Sequence, residues 1–329
     1  MHTRLGSLLI GLCLALAATS AYAGDDSSPP DAFQNLKFRN LGPASAGGRV
    51  AAVAGVPGNP SIYYVGGGGG GVWKTTDGGL SFSPIFEHEA TSSIGAIALA
   101  PSNPNYVWVG TGEANIRNDV TDGTGVYFSP DAGKTWQQMG LKDVGQISRV
   151  IVSPEDPNVV WVAALGHTWA PNPDRGVFKT ADGGKTWKKV LYVSEHTGAS
   201  DLSMAESNPK VLFAGMWQAV RYPWSLEDGG TESGIWRSTD GGDTWKKLTK
   251  DLPEGTLGRV AVTVAPSNPD RVYALIEAKR GEGLLWSSND MGDSWSKTNG
   301  SYNLDVRPFY FSRMAVSPDD ADKVYFLSF

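Results

Sequence analysis

The sequence predicts an all-β chain: a β-propeller of four-stranded blades, about five of them complete and a sixth partial. Three observations predict it. Five octapeptides repeat nearly one spelling, [Ser/Thr]-x-Asp-x-Gly-x-[Ser/Thr]-[Trp/Phe], at 75–82, 129–136, 180–187, 238–245 and 288–295. Their aspartates, Asp77, Asp131, Asp182, Asp240 and Asp290, follow one another at steps of 50 to 58 residues. A second element, an apolar run, a Pro-x-Asn-Pro turn and a β-branched or aromatic run, precedes each of them: 56–60, 100–104, 153–157, a looser copy at 206–209, and 265–269. A last copy stands at 317–320. A period near 50 residues holding about four short strands is the signature of a propeller or array. No stretch carries a helical period.

The octapeptide reads as a hairpin turn. A short hydroxyl or carboxylate side chain bonds its own backbone, glycine supplies positive φ, and the aromatic anchors the next strand. These five aspartates are therefore expected to be structural. In one blade the strands are legible: Arg149 to Val152 innermost (A), then Val159 to Ala163 (B), Gly176 to Thr180 (C) and Thr186 to Leu191 outermost (D). The Asn-Pro turn joins A to B and the octapeptide joins C to D. Blade repeats fall near 49–86, 93–140, 147–192, 200–249 and 258–298, with a partial copy at 311–329.

Ahead of the repeats, a basic lead, an apolar run and Ala21-Tyr22-Ala23 predict a signal peptide over 1–23 and hence a periplasmic or secreted protein. About 15 apolar residues fall short of the ~20 a membrane span needs, so no span is expected in the mature chain. Residues 24–34 read as a flexible leader and 35–329 as the propeller. The segment 38–42 aligns with the outer strand of a blade, as if a lone D strand came first. The chain stops after strands A and B of a sixth repeat, which reads as a piece of a longer protein, since a bare apolar strand would otherwise form an edge.

Composition excludes several chemistries. The one cysteine, Cys13, lies in the signal peptide, so disulfides, thiol catalysis and Cys-based zinc sites are not expected. A net charge of −6 gives no case for nucleic acid. The four histidines lack metal-ligand spacing, and no metal or cofactor is expected. The glycine run 66–71 leads to Trp73-Lys74 with no helix after it, so it reads as a tight turn rather than a phosphate loop.

Strand order assigns the faces. A–B and C–D turns share one face, short and uniform; B–C and D–A connections share the other. The B–C loops at 112–125, 166–175, 218–234 and 277–283 are long and varied, and loops on a rigid scaffold are where binding concentrates. They bring Asn115, Arg117, Asn118, His167, Trp169, Arg175, Arg221, Tyr222 and Trp224 to one face, a lining suited to a protein or glycan ligand. Glycoside hydrolysis needs two carboxylates about 5–5.5 Å or 6.5–9.5 Å apart. The candidates are Glu113, Asp119, Asp201, Glu227 and Asp228, with Asp122 beside them. Arg149 and Arg313 hold the same inner-strand position, five residues before the turn proline, with Arg49 and Arg259 near it. They would border the central channel, to bind an anion or to pair with a carboxylate such as Asp201.

The octapeptides resemble the Asp-box (BNR) repeat of sialidases, sortilin-type receptor domains, xyloglucan-degrading glycosidases and photosystem II assembly propellers. The runs VGTGEANIRNDV (109–120), ALGHTWAPNPDRGVFKTADGGKTW (164–187) and MWQAVRYPW (216–224) resemble the exported bacterial group described as BNR-repeat glycosyl hydrolases or sortilin-like proteins. The resemblance implies a propeller within a longer exported protein. The function expected is a binding or assembly module for protein or glycan, with a glycoside hydrolase as the alternative. Sialidases use an arginine in an Arg-Ile-Pro-like segment where this chain has Phe38-Arg39-Asn40-Leu41. Xyloglucan-degrading members place a carboxylate in the first B–C loop, where this chain has its glycine run.

Overall fold

A computed structural model describes residues 49–327. The signal peptide, the leader and the outer strand expected at 38–42 lie outside the described residues. Blade 1 is β1 (Val50–Val56), β2 (Asn59–Gly67), β3 (Gly71–Thr75) and β4 (Ser83–Pro84). Blade 2 is β5 (Ile94–Ala100), β6 (Asn103–Thr111), β7 (Val126–Ser129) and β8 (Gln137–Gln138). Blade 3 is β9 (Gln146–Val152), β10 (Val160–Gly166), β11 (Gly176–Thr180) and β12 (Lys188–Leu191). Blade 4 runs β13 (Thr197–Met204), β14 (Leu212–Tyr222), an inserted β15 (Ser225–Asp228), β16 (Gly234–Ser238) and β17 (Lys246–Leu248). Blade 5 is β18 (Leu257–Ala265), β19 (Asn268–Ala278), β20 (Leu284–Ser288) and β21 (Ser296–Asn299). After a 3-10 turn and the one-turn helix α1 (Pro308–Phe311), β22 (Met314–Val316) pairs with β23 (Val324–Phe326). Each full blade is an antiparallel sheet in chain order, so the predicted β-propeller of four-stranded blades is observed.

Three features refine the expectation. In blades 1, 2 and 5 the A–B hairpin turns on two residues, with Val56 facing Asn59, Ala100 facing Asn103 and Ala265 facing Asn268. The asparagine therefore opens strand B, and its Oδ1 accepts the N–H two residues on, as Asn59 does from Ser61 at 3.1 Å. The B–C loop of blade 4, 218–234, is no open loop, because β14 runs on and folds back as a hairpin with β15. The outer strands are the shortest, down to two residues.

The octapeptides form one turn five times over. In the third, Thr180 Oγ1 donates to Asp182 Oδ1 at 2.8 Å and accepts the Gly184 N–H at 3.0 Å. Asp182 in turn accepts the backbone N–H and the hydroxyl of Thr186, at 2.9 and 2.6 Å. These bonds hold the aspartate ionised: the Ser81, Thr186 and Ser294 hydroxyls are the first cause lowering Asp77, Asp182 and Asp290 to about 2. Each turn also donates a backbone N–H to the hairpin beside it, for instance Gly183 to Asn158 O and Gly241 to Lys210 O, both within 3.0 Å. Octapeptides and Asn-Pro hairpins therefore share a face.

Blades lock to their neighbours by apolar packing. Between blades 3 and 4, Trp161, Ala163 and Val177 meet Leu202, Leu212, Ala214 and Met216, all buried. Equivalent clusters fill the other gaps. Polar staples add to them. The bulge serines of the inner strands reach across, Ser148 Oγ to Ala199 O at 2.7 Å and Ser200 Oγ to Val260 O at 2.6 Å. On the octapeptide side Trp136 Nε1 donates to Ile85 O and Trp187 Nε1 to Met139 O, both at 2.6 Å. Glycine is required where Gly242 (φ +85°) lies under Trp161, because an added Cβ would sit 2.7 Å from the indole nitrogen.

Candidate functional site

The inner strands surround a cavity of about 410 Å³, and the B–C and D–A loops gather at one end of the blades. There a small apolar cluster joins Ala114 and Ile116 of the 112–125 loop to Leu165, Trp217 and Ala219, with Phe309 of α1 packed on it. Arg259, on β18, is buried within this group. Its Nη1 donates to Phe309 O at 3.0 Å, its Nη2 to Asn115 Oδ1 at 3.1 Å, and its guanidinium stacks 5.4 Å from the Trp217 ring. One cation thus ties a blade 2 loop, a blade 4 strand and α1 to blade 5.

Three carboxyls face that cation. Glu277 ends strand B of blade 5 and accepts the Arg259 backbone N–H at 3.0 Å. Asp228 ends β15, accepts from Trp217 Nε1 at 3.2 Å, and lies within hydrogen-bond reach of the Glu277 carboxyl. Asp305 accepts from Ser312 Oγ at 2.5 Å. Burial, then the nearby Asp228 charge, pushes Glu277 up to about 8. Burial also raises Asp228, against the pull of the Trp217 bond, and lifts Asp305 to about 6. At neutral pH Glu277 therefore holds a proton, and the Asp228–Glu277 contact is a proton-sharing pair rather than two like charges.

The rim beside this cluster is aromatic and polar. Pro223 and Trp224 form the two-residue turn of the β14–β15 hairpin, so Trp224 stands at its tip, 81% exposed. Tyr222 stacks on it, with centroids 5.7 Å apart and planes 14° from parallel. Arg221 donates to Asn118 on the neighbouring loop. Arg117 pairs with Asp119 at 3.1 Å and lies 5.7 Å from the Tyr310 ring. Trp224 and Tyr222 thus form an exposed, stacked aromatic pair at the hairpin tip.

The structure sorts the residues expected from sequence. Asn115 and Asp228 join the Arg259 cluster. Arg117, Asn118, Asp119, Arg221, Tyr222 and Trp224 come together on the rim. His167 pairs with Asp122 at 2.9 Å on the same loops, and Trp169 is half-buried beside it. Glu227 bonds Gln218 at 2.8 Å and His196 at 3.2 Å.

Three residues belong to the framework instead. Arg175, expected on the binding face, is fully buried, and its guanidinium donates to the carbonyls of His167, Ala170, His196 and Ala219. It braces two loops and offers no surface to a ligand. Glu113, a carboxylate candidate, is fully buried against Arg49. Asp201, another, is clamped by Arg149 at 2.7 and 2.8 Å and by the N–H groups of Leu202 and Val262. The alternative considered for the channel arginines, pairing with Asp201, is what Arg149 does.

Glu277, Asp305 and Arg259 are the residues the sequence undervalued. Glu277 was visible as the first residue of a B–C loop, and Arg259 as a near-register inner-strand arginine. Their mutual burial depends on blade closure, which no local pattern encodes. Asp305 follows the last octapeptide, in a stretch without any repeat signal.

The fold and site together define the class of the chain: a β-propeller with a polar, aromatic loop face and a half-buried carboxyl cluster beside it. No family model matches it. It is similar to a xyloglucanase of Hypocrea jecorina, 27% identical over 242 residues, which span 66% of this chain and 27% of that protein. It is also similar to the xyloglucanase Xgh74A of Acetivibrio thermocellus, 26% identical over 147 residues, 40% of this chain and 16% of the relative. Among solved structures it superposes on the GH74 xyloglucanase of Xanthomonas campestris with TM-score 0.61 and 15% identity, over 85% of this chain and 43% of that one. An ancestral GH74 enzyme gives TM-score 0.58 and 20% identity, over 82% and 36%. The chain thus spans less than half the length of each of these relatives. The structural likeness is a likeness of fold.

Proposed function

We propose that this propeller is part of an exported glycoside hydrolase and that its loop face is the surface that meets the glycan. The observation that carries the reading is the pairing, on one face, of an exposed aromatic platform with a carboxyl that keeps its proton at neutral pH. Trp224 and Tyr222 present flat apolar faces to the C–H side of a sugar ring, while Arg117, Asn118, Asp119 and Arg221 offer donors and acceptors to its hydroxyls. Glu277, held protonated up to about pH 8, is the group suited to donate a proton to a leaving glycosidic oxygen. Asp228 touches Glu277, closer than the separation either stereochemical course requires, so it tunes that proton rather than serving as its partner. The second carboxylate is then Asp119 on the rim, or a residue outside those described. The relatives' names point to a glycan, and the expectation of a protein partner is not carried further.

Turnover by the full-length protein on a panel of neutral and acidic polysaccharides tests this. Reducing-end release lost in Glu277→Gln but retained in Lys185→Ala, an exposed position on an octapeptide turn, agrees with the proposal. Absence of release from every glycan, with no glycan bound either, contradicts it.

A further inference from the structure

Besides Arg259, three arginines, Arg49, Arg149 and Arg313, stand in or directly before inner strands, and two of them use one edge of the guanidinium in one way. Arg149 turns Nε and Nη2 onto Asp201 of the next inner strand, at 2.8 and 2.7 Å. Arg49 turns the same two nitrogens onto Glu113. Arg313 occupies the position of Arg149 in its own repeat, five residues before the turn proline, yet its Nε and Nη2 are buried and meet no partner among the described residues. That edge is the fork that grips a carboxylate with two parallel bonds. A guanidinium edge buried without a counter-charge is unfavourable. The charged groups nearest it are Arg149, Arg259 and Asp201, and Asp201 is already engaged. Burial first, then the two arginines, pushes Arg313 down to about 9.

We propose that the Nε–Nη2 edge of Arg313 is a carboxylate-binding site beside the central cavity. A bound carboxylate there repeats the Arg149–Asp201 clamp three repeats further along the chain and neutralises the excess positive charge. The carboxylate comes either from a small free acid, a uronate or similar, or from an acidic side chain outside the described residues. The chemistry is the same for both sources.

Melting of the full-length protein and of Arg313→Met, which keeps an unbranched apolar stem, separates the two sources. Acetate and glucuronate are titrated at constant ionic strength, with chloride as the balance. A free acid as the occupant predicts a saturable rise in Tm of about 2 °C or more in the parent and none in Arg313→Met. A side chain as the occupant predicts no response to either ion. In that case Arg313→Met lowers Tm more at pH 8 than at pH 4, because methionine strands an ionised carboxylate. The proposal is overturned if the ions act on both proteins alike. It is equally overturned if they act on neither and Arg313→Met leaves Tm unchanged, raises it, or lowers it equally at both pH values.

Discussion

Replacing Glu277 by glutamine tests the electrostatics of the loop face. In the folded chain this carboxyl titrates near 8; its ordinary value is 4.5. Between those values the unfolded chain has released the proton and the folded chain still holds it. The stability contributed by this group is therefore full below pH 4.5 and falls as pH rises through the window, by up to about 1.4 kcal/mol per unit, levelling above 8. From pH 4.5 to 7 the loss is on the order of 3 kcal/mol. Asp228 and Asp305, also raised, act with the same sign. Glutamine keeps the geometry: its oxygen accepts the Arg259 N–H and its amide donates to Asp228, but it has no proton to lose. The variant should match the parent at pH 4 and exceed it at pH 7 to 8. Urea midpoints of both proteins, read by tryptophan fluorescence from pH 4 to 9, measure this. Parallel midpoint curves across pH 4.5 to 8 would refute the claim that Glu277 is protonated in the fold.

Other outcomes follow from the same geometry. Trp224→Ala should leave Tm within a degree or two, since the ring is exposed, and weaken glycan binding by calorimetry about tenfold, or ~1.4 kcal/mol. Gly242→Ala should lower stability by about 1–3 kcal/mol in denaturant melts, because the left-handed φ and the Trp161 ring both oppose a Cβ. Asp182→Asn should flatten acid unfolding between about pH 4 and 2: the folded carboxyl titrates near 2, so its contribution is full above pH 4 and is lost as pH falls through the folded value. Circular dichroism against pH reads that outcome.

Much of the fold was written in short-range chemistry. The octapeptide specifies its own turn, since hydroxyl, aspartate and glycine bond within eight residues, and five copies announce the blade period. The Asn-Pro hairpins likewise carry their own Asx bond. Strand boundaries in blade 3 fall within a few residues of the expected ones, because alternation and turn residues act locally. The rim was legible too: Arg117 and Asn118 lie on a long loop, and Arg221, Tyr222 and Trp224 on the β14–β15 hairpin, in B–C connections that strand order sends to one face. What escaped was anything decided between blades. Glu113 and Asp201 look like free carboxylates until Arg49 and Arg149 are folded against them. Arg175 looks like a loop cation until four carbonyls close on it. Glu277 looks like an ordinary strand-end glutamate until Asp228, Arg259 and Asp305 surround it. Blade 4 lengthened its B strand into a second hairpin, and the sequence showed this only as a long connection.

The claim that the loop face, not the octapeptide face, meets the glycan is tested most directly by hydrogen exchange of the full-length protein with and without a bound oligosaccharide. Protection is predicted in residues 112–125, 218–234 and 277–283, and Trp224→Ala should require about tenfold more oligosaccharide to reach it. Protection confined to the octapeptide turns at 75–82, 129–136, 180–187, 238–245 and 288–295 would contradict it.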